Sequence, residues 1–273
     1  MLKVTPLDAP LGAEIAGLDL GHIGPDDADV LRHAFLEHHL LVLRNQKISE
    51  ADLVAFGKVF GRIEKSRLVS PLSGRDDIMV ISNIRDDGKP LGQLPDGEMS
   101  FHIDRLHQKI PCKAAALFAV EIPESGGDTC FSNNVRAYET LDEATKAKLD
   151  GLTAVHSFTY GSTQPEQKSA EAGPQASHPV VRRIPETGKK SLFLCRLMTD
   201  RIDGLSATAS RALIDELCDH MEQPRFIYTH KWRVGDILVW DNRCTCHART
   251  DFSETERRLM KRVTIGDDVA PLA

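Results

Sequence analysis

Three possible metal ligands, His102, Asp104 and His247, place the strongest constraint on how this chain folds. His102 and Asp104 are two residues apart, so in an extended segment their side chains leave the same face and can reach one metal ion. Two histidines and a carboxylate occupy one face of an octahedral iron and leave its other positions open. The pattern therefore requires a distant histidine to meet an extended segment.

The motif His-x-Asp is weak by itself, because a surface tripeptide and a core histidine are the ordinary interpretations of its parts. Longer segments around these residues make the metal hypothesis stronger. They are the turn-forming run Glu124-Ser125-Gly126-Gly127-Asp128-Thr129, the segment Trp240-Asp241-Asn242-Arg243-Cys244-Thr245-Cys246-His247, and the segment Arg257-Arg258-Leu259-Met260-Lys261-Arg262-Val263-Thr264-Ile265.

With these segments the chain resembles the taurine dioxygenase-type (TauD/TfdA) family of Fe(II)- and 2-oxoglutarate-dependent oxygenases, which includes taurine, alkylsulfate and phenoxyalkanoate dioxygenases. The family pattern is W-H-x-D, P-x-x-G-G-D-T, W-D-N-R-x-x-x-H and R-R-x-x-x-R, in that order. The resemblance runs from Val4 to about Asp267. It implies one domain over residues 1–273, mainly β, built as a double-stranded β-helix (jelly roll) with flanking α-helices.

The resemblance also implies a reaction and the iron site. His102, Asp104 and His247 match the ligands of Fe(II), and 2-oxoglutarate and O2 are the cosubstrates. The family reaction predicts oxidation, most simply hydroxylation, of an unactivated C–H bond in a small anionic substrate, with release of succinate and CO2.

Two arginines four residues apart extend this prediction. Arg258 and Arg262 lie on one face of a predicted terminal strand, where each buried guanidinium needs an anion. Arg258 matches the family arginine that binds the distal carboxylate of 2-oxoglutarate, and Thr129 matches the hydroxyl that shares this carboxylate. Arg262 matches an arginine that faces the anionic group of the substrate in sulfonate-using relatives. A charged edge strand is the alternative interpretation.

The chain departs from the family pattern near the predicted substrate. Phe101 replaces the usual tryptophan, and Glu98 stands where taurine-using relatives carry an amide. A carboxylate at Glu98 with Arg105 nearby predicts a substrate that carries an amine as well as an acid. An amino-acid hydroxylase or desaturase is therefore the alternative function, while a solvated loop residue is the alternative interpretation of Glu98.

Other classes of protein explain the residues less well. A thiolate zinc site at Cys244 to His247 lacks a second cysteine pair, and its side chains would not share one face of a strand. A hydrolytic metalloenzyme gives Arg258 and Thr129 no role. A non-catalytic 2-oxoglutarate-binding protein would be expected to have lost a ligand or Arg258.

Composition agrees with a protein of this class. The 273 residues are 41% hydrophobic, enough for a large core. The net charge of −6 gives no reason to expect a nucleic acid or an anionic membrane as partner. We expect a cytoplasmic protein with reduced thiols, because the start of the chain shows no signal peptide, no apolar run is long enough to cross a membrane, and the six cysteines show no framework spacing. A homo-oligomer, a dimer or a tetramer, is expected as well.

Hydrophobic periodicity predicts the regular elements. Predicted helices cover 25–39, 52–60 with Ser49 as cap, a pair near 134–149, and 206–221. Predicted strands cover 40–43, 77–83, 112–120, 153–158, 225–228 and 237–240. The polar stretch 161–177 is predicted to be a mobile insertion.

Overall fold

Most strands of this chain belong to two sheets that share one apolar core. The computed structural model describes residues 2–66, 68–93, 97–159, 161–167 and 173–273. Within them the strands are β1 (Lys3–Pro6), β2 (Ala13–Ala16), β3 (Leu40–Leu43), β4 (Ile63–Glu64), β5 (Met79–Ser82), β6 (Arg85–Asp86), β7 (Lys89–Pro90), β8 (Met99–His102), β9 (Ala114–Glu121), β10 (Thr129–Asn133), β11 (Thr153–Ser157), β12 (Gln175–Pro179), β13 (Val181–Arg183), β14 (Lys190–Leu192), β15 (Thr199–Ile202), β16 (Ile227–His230), β17 (Ile237–Asp241), β18 (Thr245–Arg249) and β19 (Leu259–Ile265).

The larger sheet has eight strands, in the order β1-β2-β3-β17-β9-β19-β4, with β5 also paired to β19. The smaller sheet has the order β16-β10-β18-β8. Neighbouring strands in both sheets are antiparallel except for β2 and β3, and most neighbours are far apart in sequence. This winding is the predicted jelly roll, which is confirmed.

The helices lie where the periodicity predicts them. They are α1 (Pro25–His38), α2 (Glu50–Lys58), α3 (Asn134–Glu139), α4 (Glu143–Leu149) and α5 (Ala207–Met221). The start of α2 is fixed by a capping box: the Ser49 hydroxyl accepts from the Asp52 backbone N–H at 3.2 Å, and the Asp52 carboxylate accepts from the Ser49 backbone N–H at 2.9 Å. No helix in the described part of the chain is long and apolar enough to cross a membrane.

Strand β17 shows how the core is divided. Its residues alternate between two apolar clusters, because successive side chains of a strand point to opposite faces. Ile237 and Val239 pack with residues of α1 and α2, whereas Leu238 and Trp240 pack between the two sheets. Helices α1 and α2 therefore cover the outer face of the larger sheet, and the inner face is left for the space between the sheets.

Two segments differ from the predictions. The segment predicted as a strand from Arg225 begins instead with a 3-10 turn, Pro224–Phe226, because the fixed φ of Pro224 suits the first position of a helical turn; β16 follows it. In the predicted insertion, Pro165–Gln167 form another 3-10 turn and Gln175–Ser177 belong to β12, while residues 168–172 lie outside the described residues. The mobility of this segment stays a prediction.

Candidate active site

His102, Asp104 and His247 come together where β8 meets β18. His102 is the last residue of β8 and His247 is the middle residue of β18, and the pairing of these strands places them opposite each other. The centroids of their imidazole rings are 4.0 Å apart. The candidate ligand atoms of all three residues lie within 4.8 Å of one another, and all three residues are buried. The fold thus brings together the three residues that the sequence singles out.

Asp104 reaches this group by a different route from the one predicted. β8 ends at His102, so Asp104 lies in the turn that follows and not on an extended strand. Its Oδ1 is 3.8 Å from Nε2 of His102, and its Oδ2 is 3.7 Å from Nε2 of His247. The carboxylate therefore faces both imidazoles from the turn.

The ionisation states of these groups suit a divalent metal. Burial lowers the pKa of His102 and holds that of His247 well below its ordinary value. Burial alone would raise the pKa of Asp104, but the charge of the Arg262 guanidinium, which also donates to this carboxylate, lowers this pKa to about 2. At neutral pH the site therefore offers two neutral imidazoles and one carboxylate, which are the forms that bind a metal.

Hydrogen bonding selects the nitrogen of His102 that can bind a metal. Nδ1 of His102 lies 3.0 Å from the carbonyl oxygen of Ser100, to which it donates, so the lone pair is left on Nε2. Nitrogen and oxygen donors without thiolate, on one side of the metal, are a set that Fe(II) accepts. The residues present therefore fit this ion.

Arg262 forms a bidentate ion pair with Asp104. Its two terminal nitrogens donate to Oδ1 and Oδ2 at 3.1 and 2.6 Å, and both residues are buried. Although burial opposes it, the charge of Asp104 raises the pKa of Arg262 above its ordinary value. The anion that a buried arginine requires is thus supplied by the chain itself. Nε of Arg262 is buried and has no hydrogen-bond partner among the described residues.

Arg258 is a buried cation without an ion-pair partner in the described part of the chain. It directly precedes β19 and is 3% exposed. One terminal nitrogen donates to the carbonyl of Gly127 at 3.3 Å, and Nε has no partner among the described residues. Burial, with the positive charge of Arg249, lowers the pKa of Arg258 to about 9 despite the opposing charge of Asp128. An anionic ligand would remove this electrostatic penalty.

The glycine pair in the Glu124–Thr129 run allows the close approach of the chain to Arg258. Gly126 and Gly127 both have positive φ, at 75° and 65°. A Cβ at Gly126 would lie 2.2 Å from the carbonyl oxygen of Asp251, and a Cβ at Gly127 would lie 3.2 Å from Nε of Arg258. Larger residues would therefore displace the backbone that contacts this guanidinium.

Thr129 begins β10 at the end of this turn. Its hydroxyl oxygen accepts a hydrogen bond from Nε1 of Trp232 at 2.9 Å. Because indole nitrogen is only a donor, the hydroxyl hydrogen of Thr129 stays available for an acceptor. Trp232 therefore fixes the position of the Thr129 hydroxyl.

The prediction of a substrate with both an amine and an acid rests on Glu98 and Arg105. Glu98 is exposed just before β8, and its backbone carbonyl accepts from Nε2 of Gln164 at 3.3 Å. Arg105 forms an ion pair with Glu64 of β4. The two predicted recognition residues thus have separate surroundings.

A second group of possible metal ligands, His39, Asp241 and Cys244, is buried elsewhere in the fold. Arg243 donates to both carboxylate oxygens of Asp241 at 2.8 Å. Of the two cysteines near His247, Cys244 belongs to this second group, and the thiol of Cys246 donates to the carbonyl oxygen of Leu194. The two cysteines therefore do not lie together with His247 at one metal site.

Two residues of this site were not predicted, Asn242 and Trp232. Asn242 accepts from the backbone N–H of Asp104 at 2.8 Å, and Trp232 holds Thr129. A signal was present for each: Asn242 is an amide directly after a buried strand and inside a matching motif, and Trp232 is one of two tryptophans in the chain.

Comparison with known proteins supports the family resemblance over nearly the whole chain. The model of the family "Taurine catabolism dioxygenase TauD, TfdA family" matches residues 3–264. The chain is 33% identical to (S)-phenoxypropionate/alpha-ketoglutarate-dioxygenase of Sphingobium herbicidovorans, over 98% of this chain and 96% of that protein. It is also 33% identical to pentalenolactone F synthase of Streptomyces arenae, over 98% of this chain and 97% of that protein.

A solved structure agrees in fold as well. The crystal structure of a taurine dioxygenase from Burkholderia xenovorans superimposes with a TM-score of 0.85 at 32% identity, covering 100% of this chain and 91% of that one. The family match, the similarity of the full-length sequences and the shared fold agree. The chain belongs to the taurine catabolism dioxygenase TauD, TfdA family and is a 2-oxoglutarate-dependent dioxygenase.

Proposed function

We propose that His102, Asp104 and His247 hold Fe(II), and that this enzyme hydroxylates a C–H bond of a small anionic substrate. As a member of its family it uses Fe(II), with 2-oxoglutarate and O2 as cosubstrates. The observation that carries the proposal is the convergence of the three ligand atoms within 4.8 Å, in the protonation states that a metal requires. When bound, the iron supplies the redox chemistry by which 2-oxoglutarate, O2 and the substrate become succinate, CO2 and a hydroxylated product.

The chain contributes mainly by positioning. His102 is oriented by its bond to the Ser100 carbonyl, and the Asp104 carboxylate is oriented by Arg262. The aromatic rings of Phe131 and Trp240 pack against the His247 imidazole, with centroids 6.0 and 4.9 Å away. These contacts fix all three donors before a metal arrives, so little has to reorganise when it binds.

We propose that Arg258 and Thr129 bind the distal carboxylate of 2-oxoglutarate. Support comes from the buried guanidinium, which has no carboxylate partner among the described residues, and from the Thr129 hydroxyl, whose hydrogen is free to donate. A planar guanidinium fork suits a carboxylate, and burial strengthens the interaction because water does not screen it. Binding of 2-oxoglutarate to the Fe(II)-loaded protein without O2 tests this proposal, and failure to bind would contradict it.

We propose that Arg262 faces the anionic group of the substrate while it holds Asp104. If Asp104 binds the metal, one of its oxygens is used there, so part of the guanidinium can turn to a second anion. Nε of Arg262 also supports a second anion at this site, because this buried donor has no acceptor among the described residues. The substrate is accordingly expected to carry a carboxylate, sulfonate, sulfate or phosphonate.

Replacing Arg262 with alanine is expected to raise the KM for the substrate far more than the KM for 2-oxoglutarate. The measurement is made at saturating Fe(II), because Arg262 also supports Asp104. Arg257→Ala is the matched control: this neighbouring arginine is exposed and paired with Glu121, so neither KM should change. The proposed role of Arg262 would be contradicted if the enzyme preferred a neutral substrate, or if the KM for the substrate and the KM for 2-oxoglutarate rose equally.

The amino-acid substrate stays a separate proposal that depends on Glu98. Glu98 is exposed and Arg105 is paired with Glu64, so this proposal has less support than the proposal that the substrate carries an anionic group. Selective loss of amine-bearing substrates in Glu98→Gln would favour it.

We also propose a homo-oligomer, a dimer or a tetramer, that works in the cytoplasm. All six cysteines are free thiols, which agrees with a reducing compartment. The oligomer proposal rests on the family resemblance, and the mass of the protein in solution, compared with the 30.2 kDa of one chain, tests it.

A further inference from the structure

The backbone of Asp104 is held by a side chain and not by a sheet. β8 ends two residues earlier, and Arg105, directly after Asp104, has a positive φ of 56°. The side chain of Asn242 supplies the missing contacts. Its Oδ1 accepts from the backbone N–H of Asp104 at 2.8 Å, and its Nδ2 donates to the backbone carbonyl of Asp104 at 3.0 Å. The side-chain amide of Asn242 thus pairs with both the backbone N–H and the backbone carbonyl of Asp104, as a neighbouring strand would.

Asn242 is itself fixed on both sides. Its Nδ2 also donates to the carbonyl of Cys112 at 2.8 Å, and its backbone N–H donates to the carbonyl of Lys113 at 3.0 Å. It follows directly after β17 and is fully buried. The amide therefore joins the two ends of the segment from Asp104 to Cys112 to a rigid strand of the larger sheet.

We propose that Asn242 is a positioning residue for the metal site, acting through Asp104. Arg262 holds the carboxylate oxygens of Asp104, and Asn242 holds its backbone, so the side chain between these two contacts has little freedom left. This arrangement keeps the carboxylate 3.7 and 3.8 Å from the two imidazole nitrogens. The inference rests on the proposed ligand role of Asp104. Partners that orient a ligand in this way contribute to metal affinity.

A second buried asparagine, Asn133, is a control that distinguishes a role in positioning the metal site from a general role in stability. Asn133 also uses both ends of its amide on backbone groups: Oδ1 accepts from the N–H of Arg136 at 3.0 Å, and Nδ2 donates to the carbonyl of Pro10 at 2.8 Å. It makes no hydrogen bond to Asp104. Removing either amide takes hydrogen-bond partners from backbone groups, which are buried at Asn242 and partly buried at Asn133, and should lower the free energy of unfolding. Only the loss of Asn242 should lower metal affinity.

The experiment compares Asn242→Ala, Asn133→Ala and Asp104→Ala with the unmodified protein, by titration with Mn(II) followed by electron paramagnetic resonance, without turnover. We expect Asn242→Ala to weaken Mn(II) binding by about 10- to 100-fold. Asn133→Ala should change it by less than about twofold, because its site is independent. Equal Mn(II) affinities in Asn242→Ala and Asn133→Ala would overturn the inference. Unchanged affinity in Asp104→Ala would instead overturn the ligand assignment, and the inference with it.

Two further measurements keep the test decisive if Asn242→Ala does not fold. Asn242→Asp preserves size and the acceptor for the Asp104 N–H, but places an oxygen against the carbonyls of Asp104 and Cys112. It should therefore also weaken Mn(II) binding. In the unmodified, metal-free protein, the backbone amide of Asp104 should be protected from hydrogen exchange although it lies outside a strand. Rapid exchange of this amide would overturn the inference.

Discussion

His102→Ala is expected to abolish turnover and to weaken Fe(II) binding by more than about 100-fold, beyond the loss caused by removing an outer partner of a ligand. The fold should remain, because the core between the sheets is built from apolar residues such as Leu238 and Met260, which are not among the three candidate ligands. The measurements are Fe(II) affinity, succinate formation and the free energy of unfolding. His22→Ala, at an exposed histidine, is the control and should change none of them.

Asp104→Ala is expected to lose the same activity but also to lose stability. Its removal leaves the Arg262 guanidinium buried without its counter-charge, which costs roughly 3–5 kcal/mol where a buried pair is broken. The two variants should therefore agree in activity and differ in the free energy of unfolding. Near-normal turnover with a normal iron content in either variant would show that the ligand assignment is wrong.

Arg258→Ala is expected to weaken 2-oxoglutarate binding by roughly tenfold to a thousandfold, because it removes a charged, bidentate contact at a desolvated site. Iron binding should change little. In the described part of the chain, Arg258 makes no hydrogen bond to any of the three candidate ligands. The variant should also be no less stable than the unmodified protein without 2-oxoglutarate, since the buried cation has no ion-pair partner there.

Arg258→Lys distinguishes the fork from the charge. A lysine keeps the positive charge but cannot make two parallel hydrogen bonds, so it should restore only part of the affinity. Arg257→Ala is again the control, because this exposed residue precedes Arg258 directly. An unchanged affinity for 2-oxoglutarate in Arg258→Ala would rule out the proposed role.

The elements with strong local signals could be predicted from the sequence. The capping box of Ser49 and Asp52 defines the start of α2, and the alternation in β19 correctly separates Val263, on the helix-facing side, from Met260, between the sheets. The short strands β12 to β15 were not predicted, since three to five residues carry little periodicity and their pairing depends on distant segments.

The candidate site likewise combines residues that could be predicted from the sequence with contacts that could not. Ordered motifs identify His102 and His247, because the types and spacing of these residues suffice. The contacts of Asp104 could not be predicted, since they come from Asn242 and Arg262, which lie 138 and 158 residues away along the chain. Only the register of β17 and β19 against β9 brings those residues to the turn that holds Asp104. Hence the three candidate ligands lie together as predicted, whereas Asp104 lies in a turn and not in the extended segment that the sequence suggested.

This enzyme is expected to couple the oxidation of a small anionic substrate to the decarboxylation of 2-oxoglutarate at the site of His102, Asp104 and His247. The most direct measurement is to supply the Fe(II)-loaded protein with 2-oxoglutarate, O2 and a panel of small anionic acids, and to quantify succinate and product together. We expect one succinate for each molecule of hydroxylated product, with formation that requires all three of Fe(II), 2-oxoglutarate and O2. Product that forms without succinate, or without O2, would contradict the claim.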